Sequence, residues 1–172
     1  KQAVCLVELK ARFDERQNIH WSRALEEVGA HVVHGIPGLK THAKAILIVR
    51  RERGAVRNYV MIGTGNFHAK NARLYEDFGL FTTDREIGDE VANLFNALTG
   101  YGRPQRQRKT LVAPTWLREP LINEIDRTIE AHRDGREARI VCKMNARVDQ
   151  KVIEALYRAA QAGVPISLNV RG

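Results

Sequence analysis

The residues in this sequence best able to do chemistry lie in two short motifs some twenty residues apart. His42 and Lys44 begin one apolar segment, and the motif Gly63–Asn66 (Gly-Thr-Gly-Asn) follows another. Side chains alternate between the two faces of a strand, so His42 and Lys44 are expected to project together. An imidazole is a nucleophile, an ammonium holds a phosphate oxygen, and a glycine-rich turn can bind an anion through its N–H groups. The combination predicts a site that attacks a phosphoryl group.

Each motif also has a purely structural interpretation. A single histidine is more often a packing or surface residue than a catalytic one, and Gly-Thr-Gly is a common turn. The catalytic interpretation gains only because a hairpin would bring the two motifs together. The other histidines have no comparable combination of motifs in the sequence and are interpreted as surface or packing residues: His20, His31, His34, His68 and His132.

The elements that would position the site follow from the hydrophobic pattern. Ala45–Val49 and Tyr59–Ile62, joined by a turn at Arg53-Gly54, predict a hairpin. Before it, Val4–Leu9 is a predicted strand and Val32-Val33 the next one. Between them lies a predicted helix that ends at Gly29, with its apolar face formed by Trp21, Ala24, Leu25 and Val28. These elements make a βαβ unit.

A helix follows, with its apolar stripe at Ile87, Val91, Leu94, Phe95 and Leu98. The segment Arg103–Lys109 then carries four positive charges and no apolar residue, and we interpret it as the domain boundary, with domains at 1–105 and 106–172. Beyond it, the pattern predicts a helix marked by 121–129, a strand at 140–142, a helix marked by 152–160 and a strand at 166–170.

The two parts show a weak internal repeat. Ala11–Asp14 (Ala-Arg-Phe-Asp) is echoed by Ala146–Asp149 (Ala-Arg-Val-Asp), each after an apolar strand and before an amphipathic helix. This predicts a duplicated α/β unit whose second copy is truncated at Gly172, and the chain's ends are expected to be boundaries of a fragment.

Composition limits the partners. The 172 residues hold 28 Lys plus Arg against 20 Asp plus Glu, a net charge of +8 that favours anionic partners. The 11 aromatic residues are too few for a platform on which single-stranded bases stack. No apolar run is long enough to span a membrane. Cys5 and Cys142 are expected to be buried and unpaired, in a cytoplasmic, reducing compartment.

The His42 and Lys44 pair with the downstream turn resembles the phospholipase D superfamily signature, a His-x-Lys followed by a Gly-Ser-x-Asn-like turn. The aspartate usual seven residues after the histidine is Val49 here.

Five blocks, in order, resemble more specifically the polyphosphate kinase family: Lys10–Glu15, Pro37–Lys44, Ile62–Phe67, Ala72–Tyr75 and Leu98–Tyr101. The resemblance implies an α/β fold of two phospholipase D-like domains, each a mixed sheet with flanking helices. It also implies reversible transfer of the terminal phosphate of ATP to inorganic polyphosphate through a phosphohistidine, with ATP, ADP and polyphosphate as partners and Mg²⁺ as cofactor.

The resemblance also assigns residues. His42 corresponds to the phosphorylated nucleophile, Tyr75 and Arg171 to ATP-contacting positions, and Arg12 to a position associated with magnesium. Because guanidinium has no acceptor, Arg12 is expected to share phosphate oxygens with the ion or to offer only its carbonyl.

Around that nucleophile, Lys44 and Asn66 are expected to hold phosphate oxygens. Either Glu76 or Asp77 could orient the imidazole, and the sequence leaves both open.

Further expectations concern the enzyme that contains this chain. The family has a second functional histidine that would lie past Gly172, so the fragment is expected to be inactive or nearly so alone. The resemblance implies a homo-oligomeric parent enzyme and leaves membrane association open. Two alternatives remain: a phospholipase D-like phosphodiesterase or nuclease, and a basic polyanion-binding module without specificity for nucleic acid.

Overall fold

The computed structural model describes residues 2–10, 15–100, 102–146 and 148–171. The chain divides into two compact units, residues 1–105 and 106–172. This division falls inside the basic segment Arg103–Lys109. Both units are built from helices and strands, as an α/β fold requires.

The first unit begins with the βαβ arrangement that the pattern predicted. Strand β1 (Val4–Leu6) pairs in parallel with β2 (His31–Val33), and helix α1 (Glu15–Glu27) connects them. β1 is shorter than the predicted Val4–Leu9, and after it the Val7 N–H still donates to the backbone oxygen of Val33, where β2 ends.

The predicted helix is confirmed, and its predicted apolar face is correct only in part, since Ala24 and Leu25 are half-buried. Trp21 and Val28 are 59% and 80% exposed, and the buried residue of the helix is Ser22. The Ser22 hydroxyl donates to the backbone oxygen of Asn18, and the Asn18 amide donates to the backbone oxygen of Glu8. The buried face of α1 is therefore rotated from the predicted one and includes polar side chains whose hydrogen bonds are satisfied.

The predicted hairpin is confirmed and is longer than expected. Strand β3 (Lys44–Glu52) pairs antiparallel with β4 (Ala55–Gly63), in a register that sets Lys44 opposite Gly63. Both turn residues, Arg53 and Gly54, have positive φ angles of 47° and 84°. A two-residue turn of this kind matches the twist of the flanking strands.

A third strand, β5 (Gly79–Thr82), pairs with β4 and was not predicted from the sequence. A single 3₁₀ turn (Asn71–Arg73) lies between β4 and β5, and helix α2 (Arg85–Leu98) follows β5 as predicted. Asp84 caps α2 by accepting from the Ile87 N–H. α2 packs against β4, with Val60 and Val91 buried in this part of the unit.

The second unit alternates helices and strands as expected. Helix α3 (Arg118–Arg133) is followed by β6 (Ile140–Met144), helix α4 (Gln150–Gln161) and β7 (Ile166–Val170), with β6 and β7 parallel. Its core consists of aliphatic side chains from all these elements and the loop before β7: Ile125, Ile129, Ile140, Ala155, Leu156, Ala159 and Val164, with Ile166 partly buried against them.

The second copy of the internal repeat has a structural role. Asp149 caps α4 by accepting from the Val152 N–H, and its carboxylate also pairs with Arg118 at 2.7 Å. The first copy, Ala11–Asp14, lies outside the described residues, so the repeat stays a prediction.

Two further expectations concern the cysteines and membrane-spanning segments. Cys5 and Cys142 are free, as expected, but only half-buried. In the described ranges, no helix combines the length and the apolar character needed to cross a bilayer.

Candidate active site

His42 and Lys44 lie together, as expected, although only Lys44 belongs to the strand. The Nζ atom of Lys44 is 3.1 Å from Nε2 and 3.2 Å from Nδ1 of the His42 imidazole. Lys44 is the first residue of β3, so the regular hairpin fixes its direction, whereas His42 lies in the loop just before the strand. The ammonium therefore sits beside the face of the imidazole, close to both nitrogens.

The hairpin register brings the glycine-rich turn to the same end of the sheet. Gly63 pairs with Lys44 on one side and with Gly79 of β5 on the other. Directly after it, the Thr64 N–H donates to the backbone oxygen of Phe78, and the Phe78 N–H donates to the Thr64 hydroxyl oxygen. The turn is thus tied to the start of β5.

Asp77 completes this end of the sheet. The Thr64 hydroxyl donates to its carboxylate at 2.8 Å. A Cβ placed on Gly65 would overlap the Asp77 carboxylate, so a larger residue at that position would require the Asp77 side chain to move. Of the two carboxylates proposed to orient the imidazole, Asp77 is held by Thr64 and acts electrostatically on Lys44.

Electrostatics favour a neutral imidazole. The positive charge of Lys44, followed by partial burial and the charge of Lys40, lowers the pKa of His42 below its usual value. Partial burial also lowers the pKa of Lys44, while the negative charge of Asp77 acts in the opposite direction. An unprotonated ring nitrogen is the form that can act as a nucleophile, and a lowered pKa favours that form of His42.

Glu8 is a positioning residue that the sequence did not indicate. Its carboxylate accepts the Thr41 N–H at 2.9 Å and the Lys10 N–H at 3.1 Å. Thr41 immediately precedes His42, so Glu8 links the loop that carries the imidazole to the end of β1. A Cβ added to Gly35 would lie 3.8 Å from an oxygen of the same carboxylate, which is an ordinary contact distance. No sequence pattern indicates this hydrogen bond, because Glu8 and Thr41 are 33 positions apart.

The other predicted residues are placed as follows. Asn66 is exposed in the turn after β4, and Tyr75 is 54% exposed in the loop before β5. Arg171 belongs to the second unit, where its N–H donates to the Met144 oxygen beyond the paired ends of β6 and β7. Arg12, the predicted magnesium position, lies outside the described residues.

The described residues do not by themselves form a metal-binding site. Among them, no group of three or more His, Cys, Asp or Glu side chains is arranged to hold a metal ion. Mg²⁺ in phosphoryl-transfer sites is commonly bound by one or two carboxylates together with substrate phosphates. The magnesium requirement therefore stays a prediction.

Comparison with known proteins identifies relatives of the whole chain. Residues 1–104 match the family model described as polyphosphate kinase C-terminal domain 1, and residues 110–172 match polyphosphate kinase C-terminal domain 2. Polyphosphate kinases from Mycolicibacterium gilvum and Thermosynechococcus vestitus are 58% and 57% identical over all 172 residues, which cover 24% of each relative. A crystal structure of polyphosphate kinase from Porphyromonas gingivalis aligns with the whole chain at 40% identity and a TM-score of 0.82, over 29% of that protein.

Proposed function

The chain belongs to the polyphosphate kinase family, a family of phosphotransferases with a phospholipase D-like fold, and we propose that it carries the phosphoryl-transfer nucleophile of such an enzyme. In this proposal the terminal phosphate of ATP passes reversibly to inorganic polyphosphate through a phosphohistidine at His42. The chain spans about a quarter of the length of its curated relatives. Below, the full-length enzyme means a polypeptide that contains this chain and has the length of those relatives.

The observation that carries the proposal is the contact between His42 and Lys44. A lysine ammonium within 3.2 Å of both ring nitrogens lowers the pKa of the His42 imidazole and so favours its unprotonated form. The same ammonium is in position to bind an oxygen of the phosphoryl group that the imidazole attacks. A histidine held in this way is suited to nucleophilic attack, whereas a purely structural histidine gains nothing from a neighbouring positive charge.

The proposed reaction has two displacements. A ring nitrogen of His42 forms a bond to the terminal phosphorus of ATP while the bond from that phosphorus to the bridging oxygen breaks and ADP leaves. A terminal oxygen of polyphosphate then attacks the same phosphorus, the bond to His42 breaks, and the chain is longer by one phosphate. Reversal of both steps makes ATP from polyphosphate and ADP.

Lys44 and the Gly63–Asn66 turn would stabilise the charge on the transferred group, since Lys44 is a fixed cation and the turn offers backbone N–H groups. Tyr75 is accessible enough to stack on a base, and Arg171 offers a planar fork for phosphate. Mg²⁺ would enter with the ATP phosphates and neutralise part of their charge. We also propose that the 172-residue chain alone does not synthesise polyphosphate at a normal rate.

Labelling tests the nucleophile directly. The full-length enzyme is incubated with Mg²⁺ and ATP labelled on its terminal phosphate, and protein-bound label is tested for the acid lability and base stability of a phosphohistidine. We expect label in the unmodified enzyme and in His20→Ala, an exposed helical histidine, and none in His42→Ala. Label that survives His42→Ala would contradict the assignment. Cleavage of phosphodiesters without label would instead support a phospholipase D-like hydrolase.

A further inference from the structure

Two arginines face each other at the far end of the β3–β4 hairpin. Arg50 and Arg57 are directly opposite in the strand register. Their guanidinium carbons lie 5.9 Å and 5.7 Å from the centre of the same ring, that of Tyr59. We call Arg50, Arg57 and Tyr59 the hairpin arginine site.

Such a pair opposes sheet stability, since like charges directly across an antiparallel pair are unfavourable. The surroundings hold the pair in place: the Tyr59 hydroxyl donates to Glu52 at 3.0 Å, and Nε of Arg50 lies 3.3 Å from the same carboxylate. Arg57 donates to the Thr83 hydroxyl oxygen at 3.3 Å. Glu52 offsets only one of the two charges, so a net positive charge stays on two forks whose orientation is already restricted.

The hairpin arginine site shares a sheet face with Lys44. Side chains alternate along β3, so Lys44 and Arg50, six residues apart, project from the same side. At about 3.3 Å per residue, they are separated by about 20 Å. The residues between them on this face of the three strands carry no charge: Ile46, Ile48, Tyr59, Met61, Gly63, Gly79 and Phe81. Of these, Ile46, Ile48 and Phe81 are well exposed.

The ligand that fits this arrangement is long, linear and anionic. Guanidinium forks bind phosphate oxygens bidentately, and forks restricted in advance lose less entropy on binding. A single phosphate at His42 cannot contact arginines about 20 Å away, whereas an extended chain of phosphates can contact both ends of the face. No carboxylate on the intervening positions would repel it.

We propose that the hairpin arginine site is a distal subsite for inorganic polyphosphate, which binds a chain whose reacting end lies at His42. This proposal rests on the proposed function, since it takes polyphosphate as the substrate. Chains too short to span the face bind only near His42, whereas longer chains gain the contacts with Arg50 and Arg57. The subsite therefore gives the enzyme a preference for long chains.

The test compares two double variants of the full-length enzyme. Arg50→Gln with Arg57→Gln removes the site. Arg51→Gln with Arg53→Gln removes the same amount of charge from the same hairpin. Arg51 lies on the opposite face of the sheet, and Arg53 lies in the turn. KM is measured for polyphosphate fractionated by length and for ATP, together with phosphohistidine formation from ATP. Melting temperatures establish that both variants are folded.

We expect the first variant to raise KM for long chains about fivefold, while KM for short chains, KM for ATP and phosphohistidine formation stay unchanged. The second variant should leave all four close to those of the unmodified enzyme. Equal effects of the two variants would show a general charge effect and overturn the subsite. An effect independent of chain length would do the same, and the absence of any effect of the first variant on KM for long chains would also overturn the subsite.

Failure of the proposed function is distinguishable, because the unmodified enzyme would then form no phosphohistidine and no polyphosphate. In that event, equilibrium binding of long and short polyphosphate to the same variants, over a series of salt concentrations, tests the subsite without catalysis. Loss of long-chain affinity and a shallower salt dependence in the first variant alone would support it. Identical binding by both variants would overturn it.

Discussion

At the scale of single residues, the site depends on a balance between two basic groups in contact. Lys44 keeps His42 neutral, and burial makes Lys44 itself easier to deprotonate. Asp77 opposes that tendency, and Thr64 fixes Asp77 through a hydrogen bond. These contacts favour a neutral imidazole beside a lysine whose positive charge Asp77 helps to retain, as the proposed phosphoryl transfer requires.

The dependence of His42 on Lys44 predicts a pH effect. Because the folded-state pKa of His42 is lowered, the neutral imidazole persists to lower pH than in an ordinary histidine and is lost as the pH falls through that lowered pKa. Lys44→Met removes the main cause, so the pKa of His42 should rise and the loss of neutral imidazole should begin at higher pH. Titration of the His42 ring protons by NMR measures this directly.

Lys40→Met is the matched control, since Lys40 is a weaker contributor to the same shift. It should move the His42 pKa upward by less than Lys44→Met does. A His42 pKa that is unchanged in Lys44→Met would contradict the electrostatic account of the site.

Glu8 supplies a second residue-scale prediction. In Glu8→Gln one carboxylate oxygen becomes an NH₂ group, so the side chain can no longer accept from both Thr41 and Lys10. The loop before His42 should lose its fixed position, and kcat should fall about tenfold while KM for ATP changes little. Steady-state kinetics of the full-length enzyme measure the two constants separately.

Glu27→Gln, an exposed carboxylate at the end of α1, should leave kcat unchanged. If Glu8→Gln raised KM and left kcat intact, Glu8 would act in binding rather than in positioning the nucleophile. Partial recovery of kcat in Glu8→Asp, which restores both acceptors on a shorter side chain, would support the positioning role.

At the scale of elements, the turn after β4 depends on the absence of a side chain at Gly65. The position is filled by the Asp77 carboxylate, so Gly65→Ala requires this side chain to move, which we expect to weaken its hydrogen bond with Thr64. We expect the pKa of Lys44 to fall further and phosphohistidine formation to slow by about tenfold. Rapid-quench measurement of protein-bound label gives that rate.

Gly79→Ala offers a comparison at the same end of the sheet, where an added Cβ meets neighbours only at ordinary contact distances of 3.5 Å and more. It should slow labelling much less than Gly65→Ala. If the two variants behave alike, the close approach of Asp77 to the turn has no functional role.

Local patterns were sufficient for the hairpin, and with it for the proximity of His42, Lys44 and the turn, because strand alternation and a tight turn are properties of adjacent residues. They were insufficient for the buried face of α1, where Ser22 is buried and its hydroxyl donates to the backbone oxygen of Asn18. β5 also escaped prediction, since its exposed side chains give no alternation and its pairing with β4 is nonlocal. The bonds of Glu8 and Asp77 likewise join distant segments.

At the scale of the whole chain, the two units differ in the cores that hold them together. In the second unit, aliphatic side chains from α3, β6 and α4 form one buried cluster. In the first unit, Val60 and Val91 are the buried apolar residues among those described. Since burial of apolar surface is the main stabilising contribution, the second unit should be the more resistant to local opening.

Native-state hydrogen exchange on the 172-residue chain tests this expectation. The slowest amides should belong to α3, β6 and α4. Leu156→Ala, which truncates a side chain that is 5% exposed, should destabilise that unit by about 2–5 kcal/mol and accelerate exchange there accordingly. Its neighbour Tyr157 is 63% exposed, so Tyr157→Ala should have little effect. Slowest exchange in β3 and β4 would instead mean that hairpin pairing stabilises the chain more than the buried aliphatic cluster does.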